Sequence, residues 1–184
     1  MAASCVRFAL CRKTVKSIGN STTTPRDLEN DLDVWIIQIA LAESVAARLR
    51  KHGFKCKTVE ITVRDNGLYS FSRQIHLRQP TNITNEIVTA AFQLFKDNYK
   101  WEHPIRSLGI RAADLVLDDI PVQLDLFGNQ EKKEKLEKLD RTVDEIRRRF
   151  GYFSIQRAAM YQDKVLSHLD AGTHTVHPHS YFHG

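Results

Sequence analysis

Residues 55–64 alternate between apolar and polar side chains, strictly so from Thr58 to Arg64, and this constrains the fold more than any other feature of the chain. Val59, Ile61 and Val63 fall on one side of such a segment, and Thr58, Glu60, Thr62 and Arg64 on the other. A period of two is that of a half-buried strand. Asp65-Asn66-Gly67 follows as a hairpin signal. The return strand is predicted over 68–78, with Tyr69, Phe71, Ile75 and Leu77 on one face and Ser70, Ser72, Gln74, His76 and Arg78 on the other. Arg73 interrupts its apolar face, which suggests a bulge, and Pro80 is expected to end the strand.

Helical patterns flank the hairpin. Upstream, Lys13–Thr23 is β-branched and reads as a strand broken at Gly19-Asn20. A helix is predicted after it, with Thr24 as cap, Pro25 at its first position, and Asp27 and Glu29 near the positive end of its dipole. Leu28, Leu32, Trp35, Ile39, Ala42, Ala46 and Leu49 form its apolar stripe, and Gly53 stops it. Downstream, a helix over about 84–97 starts with Thr84 as cap and turns Ile87, Ala91 and Leu94 inward. Residues 105–115 alternate again, with Leu108, Ile110 and Ala112 against Ser107, Gly109 and Arg111.

The order β-α-β-β-α-β predicts an α+β, ferredoxin-like domain: a four-stranded antiparallel sheet with both helices on one face. The other sheet face then carries Thr, Ser, Gln, His and Arg. Such a face suits a nucleic-acid backbone, and it equally suits plain solvation. The charge agrees with the first reading without requiring it. The chain has 184 residues and a net charge of +5. Residues 1–115 hold 17 Lys/Arg against 11 Asp/Glu, and residues 116–184 hold 10 against 11. The basic excess, suited to polyanions, thus sits in the first part.

No apolar run approaches the roughly 20 residues of a membrane helix, and three cysteines without a CxxC pair argue for a reducing, cytoplasmic setting. Asp118-Asp119-Ile120-Pro121 reads as a linker. Residues 131–149 are charged at 14 of 19 positions, yet Leu136, Leu139, Val143, Ile146 and Phe150 keep a three-four spacing, so a surface helix with one apolar seam is predicted. The division expected is a residual linker over 1–12, an α+β domain over 13–116, a linker over 117–130 and a helical tail over 131–184. His174, His177, His179 and His183 cluster near the end, but no scaffold precedes them and no metal site is expected.

Within the linker, Gln123-Leu124-Asp125-Leu126-Phe127 joins an amide to spaced apolar anchors, a pattern able to dock as an extended peptide. The alternative is an apolar stretch covering the domain's flank. The segment resembles, at every anchor position, the pentapeptide by which bacterial polymerases and repair proteins bind the sliding processivity clamp.

Lys16-Ser17-Ile18-Gly19, Ser70-Phe71-Ser72-Arg73-Gln74 and Ile105-Arg106-Ser107-Leu108-Gly109-Ile110 extend the likeness. Over about residues 13–127 the chain resembles the little finger domain of the Y-family translesion DNA polymerases, the DNA polymerase IV and UmuC group. The resemblance implies a βαββαβ domain that lies in the DNA major groove and holds phosphates, followed by a clamp-binding peptide. It assigns the DNA contacts to Lys16, Ser17, Gly19, Asn20, Ser72, Arg73, Gln74 and Arg106. The face assignment above adds Arg64 and Arg111. The family's palm carboxylates, which hold Mg2+, have no counterpart here. The chain is therefore expected to be a non-catalytic, cofactor-free and monomeric part of a larger polymerase, with primer-template DNA and the sliding clamp as partners. Two alternatives stay open: a free-standing DNA- or clamp-binding adaptor, and a ferredoxin-like small-molecule regulatory domain.

Overall fold

The computed structural model describes residues 15–119 and 130–167. The elements run β1 (Ser17–Leu28), α1 (Asp31–Lys51), β2 (Phe54–Asp65), β3 (Ser70–Thr81), α2 (Thr84–Asn98) and β4 (Ile105–Leu117). The strands pair antiparallel in the order β1-β4-β2-β3. Both helices pack on one sheet face, and the predicted α+β, ferredoxin-like βαββαβ layout holds. The tail adds α3 (Gln130–Phe150), two short stretches of 3-10 helix at Tyr152–Ser154 and Ala158–Gln162, and the short α4 (Lys164–Ser167).

The hairpin forms as its alternation predicts. Val59, Ile61 and Val63 are buried beneath the helices with Leu108, Ile110 and Ala112 of β4. Asp65 fastens the turn: its N–H donates to the Tyr69 carbonyl and its carboxylate accepts from the Tyr69 N–H. Arg73 does not form a bulge. Pairing is continuous from Ser70 to His76, and the irregularity lies between His76 and Thr81, next to Pro80. β3 is an edge strand there, so a residue without an N–H costs the ladder nothing, and the strand continues one residue past it.

The start of α1 departs from expectation. Thr24 and Pro25 belong to β1, which runs unbroken through Gly19-Asn20 to Leu28. The cap is Asn30, whose side chain accepts from the Asp33 N–H at 2.9 Å. Thr24 is instead held in the sheet, where its hydroxyl donates to the Arg106 carbonyl. Pairing skips from Thr23 to Leu28, so the Pro25 region bows out of the ladder. Gly53 stops α1 as predicted, with φ +68°.

α1 is buried on more than one stripe. Val34, Ile36, Ile37, Ala40, Leu41 and Val45 are enclosed along with Ile39, Ala42, Ala46 and Leu49, whereas Leu32 is exposed. The sheet covers one side and α2 another, where Trp35 meets Phe92 edge-on at 4.9 Å. The tail brings Met160 and Leu166 into the same core.

The tail docks by charge. Seen along α3, the less exposed positions are Lys133, Leu136, Glu137, Asp140, Val143, Asp144, Ile146 and Arg147. Leu139 and Phe150 of the expected apolar seam face solvent. Arg50 of α1 donates to both carboxylate oxygens of Asp144 at 2.6 and 2.9 Å, to Asp140 at 3.2 Å, and to the Asn82 carbonyl at 2.7 Å. Buried Glu43 accepts from Arg147 and Arg157, each at 2.9 Å. Asp140 also caps α2, accepting the Thr84 N–H at 2.7 Å. Thr84 is thus the first helical residue and not the cap: Ile83 holds the cap position without a side-chain bond. A carboxylate there favours the helix's positive end.

Candidate nucleic-acid interface

The register fixes what the helix-free sheet face displays. Four rows cross it from β1 through β4 and β2 to β3: Ser17-Ala113-Thr58-His76, Gly19-Arg111-Glu60-Gln74, Ser21-Gly109-Thr62-Ser72 and Thr23-Ser107-Arg64-Ser70. Hydroxyls dominate the grid, and no large apolar side chain stands on it. Gly109 keeps its centre low: a Cβ there would lie 3.1 Å from the Ser21 Cβ. The result is a flat polar floor. Three inter-strand spacings make it about 14 Å from edge to edge.

The charged groups are few. Arg111 is mostly exposed and stands 3.6 Å from Glu60. Arg64 is exposed. Thr58 donates to Asp114 and so accepts from His76 Nδ1 at 3.1 Å, which fixes the proton on that nitrogen. The open face is therefore only mildly basic, with Glu60 offsetting one of its two arginines.

Ser17, Gly19, Arg64, Ser72, Gln74 and Arg111 are brought together on this floor, with exposed Lys16 at its β1 edge. Three expected residues lie elsewhere. Asn20 faces the helices, where its amide donates to Ser44 Oγ at 3.1 Å. Its neighbours in the row, Ile110, Ile61 and Arg73, share that face. Arg73 therefore also points to the helix side, but at the sheet edge, where it is exposed. Its guanidinium sits 5.5 Å from the Phe71 ring centre and donates to the Ser72 carbonyl at 2.9 Å. Arg106 falls at a bulge in β4 and pairs with Asp27 at 3.3 Å.

Gln123, Leu124, Asp125, Leu126 and Phe127 lie outside the described residues, as does the histidine cluster. Among the described residues no group of His, Cys, Asp and Glu could hold a metal ion, and no helix is long and apolar enough to cross a membrane. Asp118, at the start of the expected linker, is fastened by Lys55 and Arg141, each at 2.7 Å. The sequence reading did not single out Arg48, whose role depends on which α1 turn lies under β1.

Residues 15–126 match the family model described as the impB/mucB/samB family C-terminal domain. The chain is 44% identical over 159 residues to the DNA polymerase IV of Acetivibrio thermocellus, covering 86% of this chain and 40% of that protein. It is 36% identical over 148 residues to the DNA polymerase IV 2 of Bacillus subtilis, covering 78% and 35%. With the DNA polymerase IV of Pelotomaculum thermopropionicum it shares 34% over 144 residues, covering 78% and 35%. The chain thus spans well under half the length of these relatives.

Proposed function

From the premise that this chain belongs to the impB/mucB/samB family as its C-terminal domain, we propose that it is the DNA-holding and clamp-tethering part of a translesion DNA polymerase. The observation that carries the reading is the flat, hydroxyl-lined floor inside the matched segment. Its width of about 14 Å is close to the roughly 12 Å of the B-DNA major groove, so its two edges would meet the phosphates bordering one groove. Serine and threonine hydroxyls, edge-strand N–H groups and arginines hold phosphates without reading bases. A grip of that kind tolerates a damaged template, as DNA repair and lesion bypass require.

In this reading Arg64, Arg111 and Lys16 supply charge, Ser17, Ser72 and Gln74 supply hydrogen bonds, and Gly19 lets the backbone approach. Arg73 reaches DNA only around the β3 edge. Gln123–Phe127 docks on the sliding clamp and raises the local concentration of the enzyme at the primer end. Nucleotide transfer and its Mg2+ belong to a palm whose carboxylate motifs this chain lacks. The setting proposed is the bacterial cytoplasm, with the chain acting as a monomer.

Anisotropy titrations with duplex DNA test the grip. Arg111→Ala and Arg64→Ala should each weaken binding equally on unrelated sequences and lower its salt dependence. Loss confined to some sequences would point to base reading instead and overturn the proposal.

A further inference from the structure

We infer that Arg48 is the second arm of a phosphate clasp at the β1 edge, closing with Arg111 around the backbone of Gly19. The inference rests on the DNA-holding reading above and assigns it a residue from the helical layer.

Arg48 sits in the last turn of α1, half-buried beneath β1. Its Nη2 donates to the Gly19 carbonyl at 2.7 Å, and its Nε to the Ser44 carbonyl at 3.3 Å. Both acceptors are neutral. The other arginines of the helical layer and tail that are at most half-exposed (Arg50, Arg141, Arg147 and Arg157) each have a carboxylate within 3.2 Å. Arg48 has none within 4 Å among the described residues. Burial lowers its pKa, yet arginine stays protonated. A positive charge is thus fixed by backbone carbonyls alone, and it retains N–H donors beyond the two in use.

The backbone geometry aims that charge outward. β1 is an edge strand, and a residue's N–H and C=O in an antiparallel ladder point to the same side. The Gly19 carbonyl meets Arg48, away from β4, so the Gly19 N–H also faces the open edge. From the opposite sheet face Arg111 lies over the same residue: its Cβ and Cγ come within 3.2 and 3.3 Å of where a Gly19 Cβ would stand. The Arg48 guanidinium, the Arg111 side-chain stem and one outward N–H therefore meet at one backbone position; the Arg111 guanidinium, 3.6 Å from Glu60 across the row, completes a donor set suited to a phosphodiester when it turns to the β1 edge. Glycine there leaves room for Arg111 to fold across the strand.

The test is equilibrium binding of the 184-residue chain to a labelled mixed-sequence duplex of about 20 base pairs over a salt series. Each phosphate contact contributes about 0.9 to the slope of log affinity against log salt. Arg48→Gln keeps a donor near the Gly19 carbonyl and removes the charge. It should lower the slope by about one and weaken binding several-fold near 0.1 M salt. Arg48→Lys should keep the wild-type slope, and Arg149→Met, on the exposed side of α3, should match wild type throughout. A wild-type slope in Arg48→Gln, even with weaker binding, would reduce Arg48 to a tether between α1 and β1 and overturn the inference alone. Salt-independent or absent binding by the wild-type chain would overturn the DNA-holding reading and the clasp with it. If Arg48→Gln melts well below wild type, the slope of Arg48→Met decides in the same way.

Discussion

Replacing Arg50 with Met should release the tail from the domain at a cost set by what is left behind. The Arg50 side chain is 5% exposed and bonds Asp140, Asp144, the Asn82 carbonyl and Thr84 Oγ1 at once. Removing one partner of a buried ion pair typically costs about 3–5 kcal/mol, because the other charge is stranded. Two features place this site at the lower end. Asp140, 8% exposed, would keep the Thr84 N–H and a long contact to Arg157 at 3.5 Å. Asp144, 28% exposed, would regain water. The expected loss is therefore about 3 kcal/mol, or roughly 6–12 °C in melting temperature for a chain of this size. Arg149→Met serves as the control. Its partner Glu145 lies one turn away on the exposed side of α3, and such surface pairs contribute about 0.5 kcal/mol or less. Circular dichroism melts of both variants, with limited proteolysis to report on α3, give the comparison. If Arg50→Met melts within about 2 °C of Arg149→Met, the buried ion network does not hold the tail and the reasoning fails.

Three further outcomes are expected. Cys56 is enclosed and its thiol is pushed up to about 12, chiefly by burial. Mass spectrometry after maleimide treatment should find it unlabelled in the native chain and labelled in denaturant, and fast native labelling would contradict its enclosure. The Asp163 carboxyl is held below the usual carboxylate range, first by the hydrogen bond from Arg26 and then by the Leu166 N–H. A depressed carboxylate contributes stability above its unfolded value and loses it as pH falls through the folded one. Asp163→Asn should therefore be less stable near neutrality and flatten the decline below about pH 4, and an unchanged acid limb would refute the linkage. Leu126→Ala combined with Phe127→Ala should abolish calorimetric binding to a bacterial sliding clamp, of micromolar order in the parent chain, while melting as the parent does. A folding defect in that double variant would mean the segment is core.

The hairpin, α2 and β4 were legible because their side-chain periods are set locally by a single sheet-helix interface. The β1–α1 junction was not. Thr24-Pro25 carries a capping signal, with proline at the first helical position, but the Thr24 hydroxyl is claimed by the Arg106 carbonyl 82 residues away. A long-range bond overrode a local propensity. α3 was legible in part for a related reason. Leu136, Val143 and Ile146 of its apolar seam lie on the docking side, whereas Leu139 and Phe150 face solvent, because the docking face is set jointly with buried charges on α1 whose positions only the fold supplies. At the candidate interface, alternation gave the right faces for Arg64, Arg111, Ser72 and Gln74. Asn20 and Arg73 sit one residue out of phase with that face, and strand period alone puts them inward. Arg48 carried no signal in the sequence, since its meaning comes from the carbonyl of an edge strand 29 residues earlier.

The central claim is that the helix-free sheet face and its β1 edge hold DNA. Amide chemical-shift mapping of the labelled chain during titration with duplex DNA tests it most directly. The account predicts shifts concentrated at Ser17–Thr23, Thr62–Arg64, Ser70–Gln74 and Ser107–Arg111, with the outer faces of α2 and α3 unmoved. Shifts concentrated on those helices, with the sheet rows silent, would contradict it.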